Sequence, residues 1–396
     1  YLMRSVTDGR LELTDHVRGH LELCLDCRAC ETSCPSGVQY GKLIEPFRVA
    51  MEQVGDEPAK STDWFHRWIL FGMFPYPKRM AAALWPARIA QWTGAYALTK
   101  LALRCMPGLL PDRLRQLVTM LPPLGMPEKA LPNFLPAKGT RRAKVALFTG
   151  CVGDAVFRPT NWATARVLQE NGCDVVIPKS QQCCGAIHFH AGSAEPARQM
   201  ADANVSAFDI DDVDAVVVNI AGCGAMLKDY GHHWHDDNQP ARERLAGKIK
   251  DISEFLDELG LIQPRGEINT TATYHDACHL GHAQKIKDPP RDLLAQIPGL
   301  NLVDLPETDL CCGAAGTYNL TQPEMSQRLS KRKLDNIKST GARVCITSNA
   351  GCLLQILREA DRQGYPLKVV HPLDLLDLRY REKPLKLYDI EMIDLS

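Results

Sequence analysis

From about residue 143 onward, short apolar runs alternate with stretches of helical periodicity, which predicts strands interleaved with helices and an α/β architecture. Lys144-Val-Ala-Leu-Phe148 reads as a strand ending at Gly150-Cys151, and a helix follows over roughly 158–171, stopped by Gly172. Asp174-Val-Val-Ile177 is the next strand and runs into Cys183-Cys184-Gly185; the helix after it has Ser193 as a candidate N-cap. Asp214-Ala-Val-Val-Val-Asn219 then leads to Ala221-Gly222-Cys223. The same order recurs downstream. Thr271-Ala-Thr-Tyr274 leads to Asp276-Ala277-Cys278, Asn301-Leu-Val303 to Cys311-Cys312-Gly313, and Arg343-Val-Cys-Ile-Thr347 to Ala350-Gly351-Cys352. Cys278, Cys311 and Cys352 follow Cys151, Cys183 and Cys223 at separations of 127, 128 and 129 residues. Three anchors at one offset predict two tandem copies of a parallel-type βαβ unit. Each copy carries its cysteines at strand C-termini, where open α/β sheets bind ligands. Leu367-Lys-Val-Val370 and a helix near 372–381 complete the second copy.

Upstream the pattern changes. Residues 1–50 read as mostly helical around a cysteine-bearing loop. Residues 60–135 are rich in Trp, Pro, Leu and Met, but Arg67, Lys78, Arg79, Arg88, Lys100 and Arg104 interrupt every apolar run. None approaches the ~20 apolar residues a membrane span requires. Pro75, Pro77, Pro86 and Pro107 separate what read as amphipathic helices. These either pack on their neighbours or offer a docking face to a partner subunit or a membrane surface. The fold expected is therefore mixed: a small α-helical domain over 1–58, a Trp/Pro-rich helical connector over 59–142, and α/β repeats over 143–262 and 263–396.

Composition narrows the class. The 396 residues suffice for two to three domains, and 46 basic against 47 acidic side chains give a net charge of −1. That balance provides no footprint for nucleic acid. The 15 cysteines are clustered rather than dispersed, which suits metal binding in a reducing compartment and a cytoplasmic location. No basic stretch followed by an apolar run marks a signal peptide. The chain starts at Tyr1, so a preceding N-terminal segment is expected to be missing.

Cys24-x-x-Cys27-x-x-Cys30-x-x-x-Cys34-Pro35 is the most specific motif. Three thiolates at two-residue intervals wrap one 4Fe–4S cube, and in two-cluster arrangements the fourth cysteine serves the other cube. Cys24, Cys27 and Cys30 are thus expected to hold one cluster. Cys34 either joins a second or closes the first, giving one or two clusters in this domain. The bland alternative is a zinc knuckle, which usually pairs two Cys-x-x-Cys units or adds His. Two further sets, Cys151, Cys183, Cys184, Cys223 and Cys278, Cys311, Cys312, Cys352, each offer four thiolates from three loops, suited to zinc or an iron–sulfur centre. Spacing does not decide between them, and buried free thiols are a third option. Gly185 and Gly313 would let the backbone pass close to a cofactor. Cys105, Cys173 and Cys345 read as core cysteines. His275, His279, His282, His188 and His190 read as satisfied core or surface residues before ligands, and His232, His233 and His235 as a polar loop. No Gly-x-Gly-x-x-Gly follows a strand, and neither a phosphate-binding loop nor a serine elbow is present. The chain can carry electrons, but another protein must oxidise the substrate.

These motifs resemble the iron–sulfur subunit of glycolate oxidase (glycolate dehydrogenase), within the wider family of Cys-Cys-Gly domain oxidoreductases. The resemblance is carried by the run from Cys24 to Gly37, by Phe148-Thr-Gly-Cys-Val152, Cys183-Cys-Gly-Ala186 and the run from Ala221 to Gly231, and by Asp276-Ala-Cys-His-Leu280 and the run from Leu310 to Tyr318. It implies a ferredoxin-like N-terminal domain and flavoprotein partner subunits that carry FAD and oxidise glycolate to glyoxylate. Electrons would then pass through this chain toward a quinone or another acceptor, with peripheral contact at the inner face of the cytoplasmic membrane. The Cys-Cys-Gly domain is shared with heterodisulfide reductase, anaerobic glycerol-3-phosphate dehydrogenase and lactate-utilisation proteins, which keeps those as alternatives beside a zinc-binding scaffold. This chain departs from the heterodisulfide reductase pattern. Cys223 is followed by Gly224, Ala225 and Met226, and Cys352 by Leu353, Leu354 and Gln355, so the fifth thiolate is missing from both copies and disulfide-reducing chemistry is put in doubt.

Overall fold

The computed structural model describes residues 1–53 and 63–385. The expected boundary at 58/59 and the end of the second repeat lie outside them.

Among the described residues nine strands form two sheets: β1 (Phe134–Leu135), β2 (Ala143–Phe148), β3 (Cys173–Val176), β4 (Ala215–Val218), β5 (Ile249–Asp251), β6 (Thr270–Tyr274), β7 (Leu300–Val303), β8 (Val344–Ile346) and β9 (Lys368–Val370). The first sheet runs β1-β3-β2-β4-β5 and the second β7-β6-β8-β9. Only β1 is antiparallel to its neighbour. Without β1 the two orders are the same, the second strand of each copy lying outside the first, then the third, then the fourth. The repeat read from cysteine spacing is a repeat of topology. β1 and β5 were not anticipated. They are edge strands of two and three residues, and Ile249 is the single apolar side chain of β5.

The strands alternate as a two-sided sheet requires. Val145, Leu147 and Val217 enter one core, while Ala146, Phe148, Val216 and Val218 enter another on the opposite face. The first core is shared by both copies, since Tyr274, Val344 and Ile346 of the second sheet lie in it as well. The helices follow a reciprocal plan. Arg158–Glu170, after β2, packs on Pro372–Tyr380, the last helix of the second copy; Pro289–Ala295, after β6, packs on Ile252–Leu259, the last of the first copy. Such reciprocity is that of a two-fold-related pair. Arg166 donates to both carboxylate oxygens of Asp377 at 2.6 and 2.7 Å across the joint. Each buried aliphatic side chain here contributes about 1.5–3 kcal/mol of burial, so the copies form one folded body.

Residues 1–53 are helical: Leu2–Thr7, Asp15–Glu22, Ala29–Thr32 and Gly41–Gln53, packed around Val17, Leu21, Ile44 and Met51. Thr14 caps the second helix, its Oγ1 accepting from the Val17 N–H. Helices Phe65–Leu70, Pro77–Ala83, Trp85–Trp92, Ala95–Cys105 and Asp112–Thr119 follow, with Pro77 and Pro86 in first turns, where proline costs no hydrogen bond. Their inner side packs on both copies. Met80 and Leu84 meet Ala155, and Phe65 and Leu70 meet Leu320. Their outer side leaves Trp68 66% and Trp92 86% exposed, with Ile89, Leu98 and Leu101 also in solvent. Ser193 stands at its helix N-cap, but its side chain makes no capping bond. Cys105 corrects the expectation of a core thiol, because it ends its helix exposed.

Candidate metal centres

All eight repeat cysteines lie at the C-terminal ends of parallel strands. Cys151 opens a helix directly after β2, and Cys223 and Cys352 occupy the first turns of the helices after β4 and β8. Unpaired N–H groups at such helix starts favour a thiolate. In the first copy the Cys151 and Cys183 sulfurs are 3.3 Å apart, and thiol contacts continue from Cys183 to Cys184 and from Cys184 to Cys223. Hydrogen bonds from Cys183 and Cys223 hold the Cys184 thiol well below the usual range, while those two neighbours are held above it. Tyr230 fixes the pair from behind, its hydroxyl donating to the Cys184 carbonyl at 2.8 Å.

The second copy repeats the chain of contacts from Cys278 to Cys311, Cys312 and Cys352. Two thiols are held down here. Cys311 accepts from Cys278 and Cys312, and Cys352 is lowered to about 5 first by the hydrogen bond from Cys312, against the cost of burial, with the neighbouring His275 ring adding to the effect. Asn349 donates to Cys352 Sγ at 3.4 Å. The glycines after the two pairs have a role other than the one expected. Gly185 and Gly313 adopt φ of +87° and +86°, and a Cβ there would lie 3.1 Å from the Ala197 carbonyl oxygen or 2.6 Å from that of Ser326. The space they clear is taken by the helices Ala194–Ala207 and Pro323–Ser339, not by a cofactor.

The loop bearing the first motif lies over the second copy. Cys27 is pushed up to about 11, first by burial and then by the charges of Cys311, Cys24 and Cys30. Cys24 likewise raises Cys30 after burial, whereas Cys34 is absent from the leading influences on all three. Asp26 and Arg28 turn this loop with positive φ. Arg28 then ties it down, donating to Glu45 at 3.0 Å and to Asp229 of the first copy at 2.8 Å. Thr32 Oγ1 lies 2.7 Å from His282 Nδ1, and the Tyr318 hydroxyl donates to the Leu23 carbonyl at 3.1 Å, both in the second copy.

Against this geometry, a family described as the cysteine-rich domain matches residues 145–228 and 272–357, and one described as the glycolate oxidase iron–sulfur subunit linker region matches residues 62–121. A Bacillus subtilis protein named "Probable glycolate oxidase iron-sulfur subunit" is 40% identical over 389 residues, covering 95% of this chain and 86% of that protein. The chain belongs to the glycolate oxidase iron–sulfur subunit family. The Escherichia coli member is 31% identical over 89% of this chain and 81% of its own length. Lactate utilization protein A of an Exiguobacterium species is 33% identical over 59% of this chain and 96% of its own. The glycolate oxidase family places the chain in an oxidoreductase complex. No helix among the described residues is long and apolar enough to cross a membrane.

Between the three cysteine groups of this family member lies a polar junction the sequence did not disclose. His190 Nδ1 is 3.4 Å from Asp26 and 3.3 Å from Glu45, Arg48 stands 4.0 Å from Asp26, and the His190 and His279 rings are 5.8 Å apart. Burial opposes the His190 charge, but Glu45 and then Asp26 overcome it and raise its pKa. His279 is lowered to about 4 by burial. Neither it nor His275 is the satisfied histidine expected, since both leave Nε2 without a hydrogen-bond partner. Of the polar loop expected at His232, His233 and His235, the first and last are exposed, but His233 is not a loop residue. His233 ends the helix Tyr230–His233 with its side chain 3% exposed, set between the Phe189 and Trp234 rings. Cys173 and Cys345 are core thiols as read.

Proposed function

We propose that this chain is the electron-transfer subunit of a flavin-dependent 2-hydroxy-acid dehydrogenase complex, acting on glycolate through flavoprotein partners. The observation that carries it is the meeting of Cys27 with Cys278 and Cys311, which puts the ferredoxin-like motif beside the second thiol set. The donor chemistry fits an iron–sulfur centre. All fifteen cysteines are free, and each repeat gathers four in one dry pocket, where four thiolates could not coexist without a cationic centre. Cys24, Cys27 and Cys30 would hold a 4Fe–4S cluster, with Cys34 serving it or another, and the two repeat sets would each hold a further centre. When bound, such centres supply one-electron transfer. The chain's own residues hold the thiols at strand ends, exclude water from them and fix the motif loop through Arg28. The exposed Trp-bearing helices of 64–109 are the face we assign to the partner subunits or the membrane. Lactate is the second substrate reading, favoured by the 33% identity to lactate utilization protein A.

The test is iron, zinc and acid-labile sulfide per chain after anaerobic purification, with Cys24→Ala and Cys312→Ala alongside. Each variant should lose its own share of iron and sulfide. Loss of zinc alone from Cys312→Ala would make the repeats structural and overturn electron transfer through them.

A further inference from the structure

The two repeat sites share their frame of thiols and differ in the side chains around it. Three residues before the leading cysteine the first copy has Phe148 and the second His275. Phe148 is a buried core ring against Phe208. His275 is fully buried, and its two ring nitrogens are in different circumstances. Nδ1 lies 3.1 Å from the Thr308 carbonyl oxygen, an acceptor, so Nδ1 carries the proton. Nε2 is left with its lone pair and no hydrogen-bond partner. A ligand nitrogen of this ring and the sulfurs of Cys312 and Cys352 lie within 4.8 Å of one another.

The carbonyl that orients the ring is itself fixed. Thr308 Oγ1 donates to the Tyr274 carbonyl at 2.9 Å and lies 3.1 Å from Asp276, whose carboxylate receives two bonds from Arg291 at 2.8 and 2.7 Å. A ring held through Nδ1–H to a carbonyl, presenting a bare Nε2 to thiolates, is how proteins prepare an imidazole ligand. The rival donor at this end of the site is Gln355, where a fifth thiolate would fall. Its amide is committed to Asn319 at 3.1 Å and Ser326 at 3.0 Å.

We propose that His275 Nε2 is a ligand of the centre held by Cys278, Cys311, Cys312 and Cys352, making the second site thiolate–imidazole and leaving the first all-thiolate. This rests on the reading that the repeat cysteines hold iron–sulfur centres. At this position a neutral imidazole leaves the site less negative than a thiolate would, so exchanging it for a thiolate lowers the reduction potential.

The experiment uses the full chain, purified anaerobically with 15N-labelled histidine, and reads nitrogen hyperfine coupling by pulsed EPR of the reduced protein. Wild type should show a directly coordinated histidine nitrogen. His275→Cys should lose that coupling, keep the iron and sulfide, and lower the potential of one centre only; His279→Ala should leave the coupling in place. Absence of the coupling from wild type whose Cys312→Ala variant loses iron and sulfide overturns the ligand assignment alone. So does a coupling that survives His275→Cys. If Cys312→Ala loses no iron and sulfide, the iron–sulfur reading of the repeats falls first. Metal-edge X-ray absorption of the wild-type and His275→Cys proteins then decides whether an imidazole is bound to whatever metal is present, and its absence overturns the proposal.

Discussion

The first and second repeat sites share strand order, cysteine positions and the sequence of thiol contacts, yet their electrostatics differ. In the first, hydrogen bonds single out one low thiol, Cys184, between two raised neighbours. In the second, Cys311 is held down by bonds from Cys278 and then Cys312, and Cys352 by the bond from Cys312, to which His275 and Asn349 add. The second site also has the Cys27 thiol beside it, whereas the first has the Phe148 ring, the Tyr230 hydroxyl and the His190 ring near it. Duplication preserved the frame that gathers four thiols. The residues that tune them lie in the strand-end turns and in the domain seated on top, and these are free to diverge.

The largest expected effect comes from loosening that seated domain. Arg28 is 8% exposed and pairs with the buried Glu45 and with Asp229, bridging the motif loop to the first copy while Cys27 faces the second. Arg28→Ala takes from the buried Glu45 one of its two cations, the other being His190, and unties Asp229, a change that costs about 3 kcal/mol. Denaturant unfolding should show that loss, and limited proteolysis should release residues of the motif loop first. A change below about 1 kcal/mol would mean the loop is held by the Thr32 and Tyr318 contacts instead.

A sharper comparison substitutes the paired glycines. Both need positive φ, which costs a residue with Cβ about 1–2 kcal/mol. Gly313→Ala also drives a Cβ to 2.6 Å from the Ser326 backbone oxygen, where Gly185→Ala meets Ala197 at 3.1 Å. Gly313→Ala should therefore destabilise by about 1–3 kcal/mol more than Gly185→Ala. Equal melting temperatures for the two variants would show that the helix Pro323–Ser339 yields freely.

The repeat was legible because its strands are buried apolar runs and its cysteines mark equivalent strand ends. The α/β class followed from the same pattern. The edge strands β1 and β5 were not, being too short to carry periodicity. The polar junction was hidden for a different reason. Asp26, Glu45, His190 and His279 are separated by long stretches of chain, and each looks like an ordinary surface residue in its own neighbourhood. His275 did leave a signal. Laying the copies over one another at their cysteine offset sets it opposite Phe148, a polar residue at a position whose counterpart is core.

The smallest expected effect compares the copies at their last helices, where Asp251 caps Ile252–Leu259 and His371 caps Pro372–Tyr380. Burial raises Asp251 to about 6 and lowers His371 to about 4. The raised carboxyl stays protonated in the folded chain after the unfolded one has ionised. Its contribution is full below the unfolded value of 3.8 and is lost as pH rises through about 6. The lowered imidazole stays neutral while the unfolded one takes up a proton. Its contribution is full above the unfolded value of 6.5 and is lost as pH falls through about 4. Between pH 4 and 6 the two caps therefore oppose each other, each by up to about 1.4 kcal/mol per pH unit. Asp251→Asn should make stability rise more steeply with pH across that window, and His371→Asn should make it rise less steeply or fall. Urea midpoints measured at intervals from pH 4 to 7 read both slopes. Parallel shifts of the two variants in the same direction would mean that the caps do not titrate independently, and that the shared core between the sheets couples them.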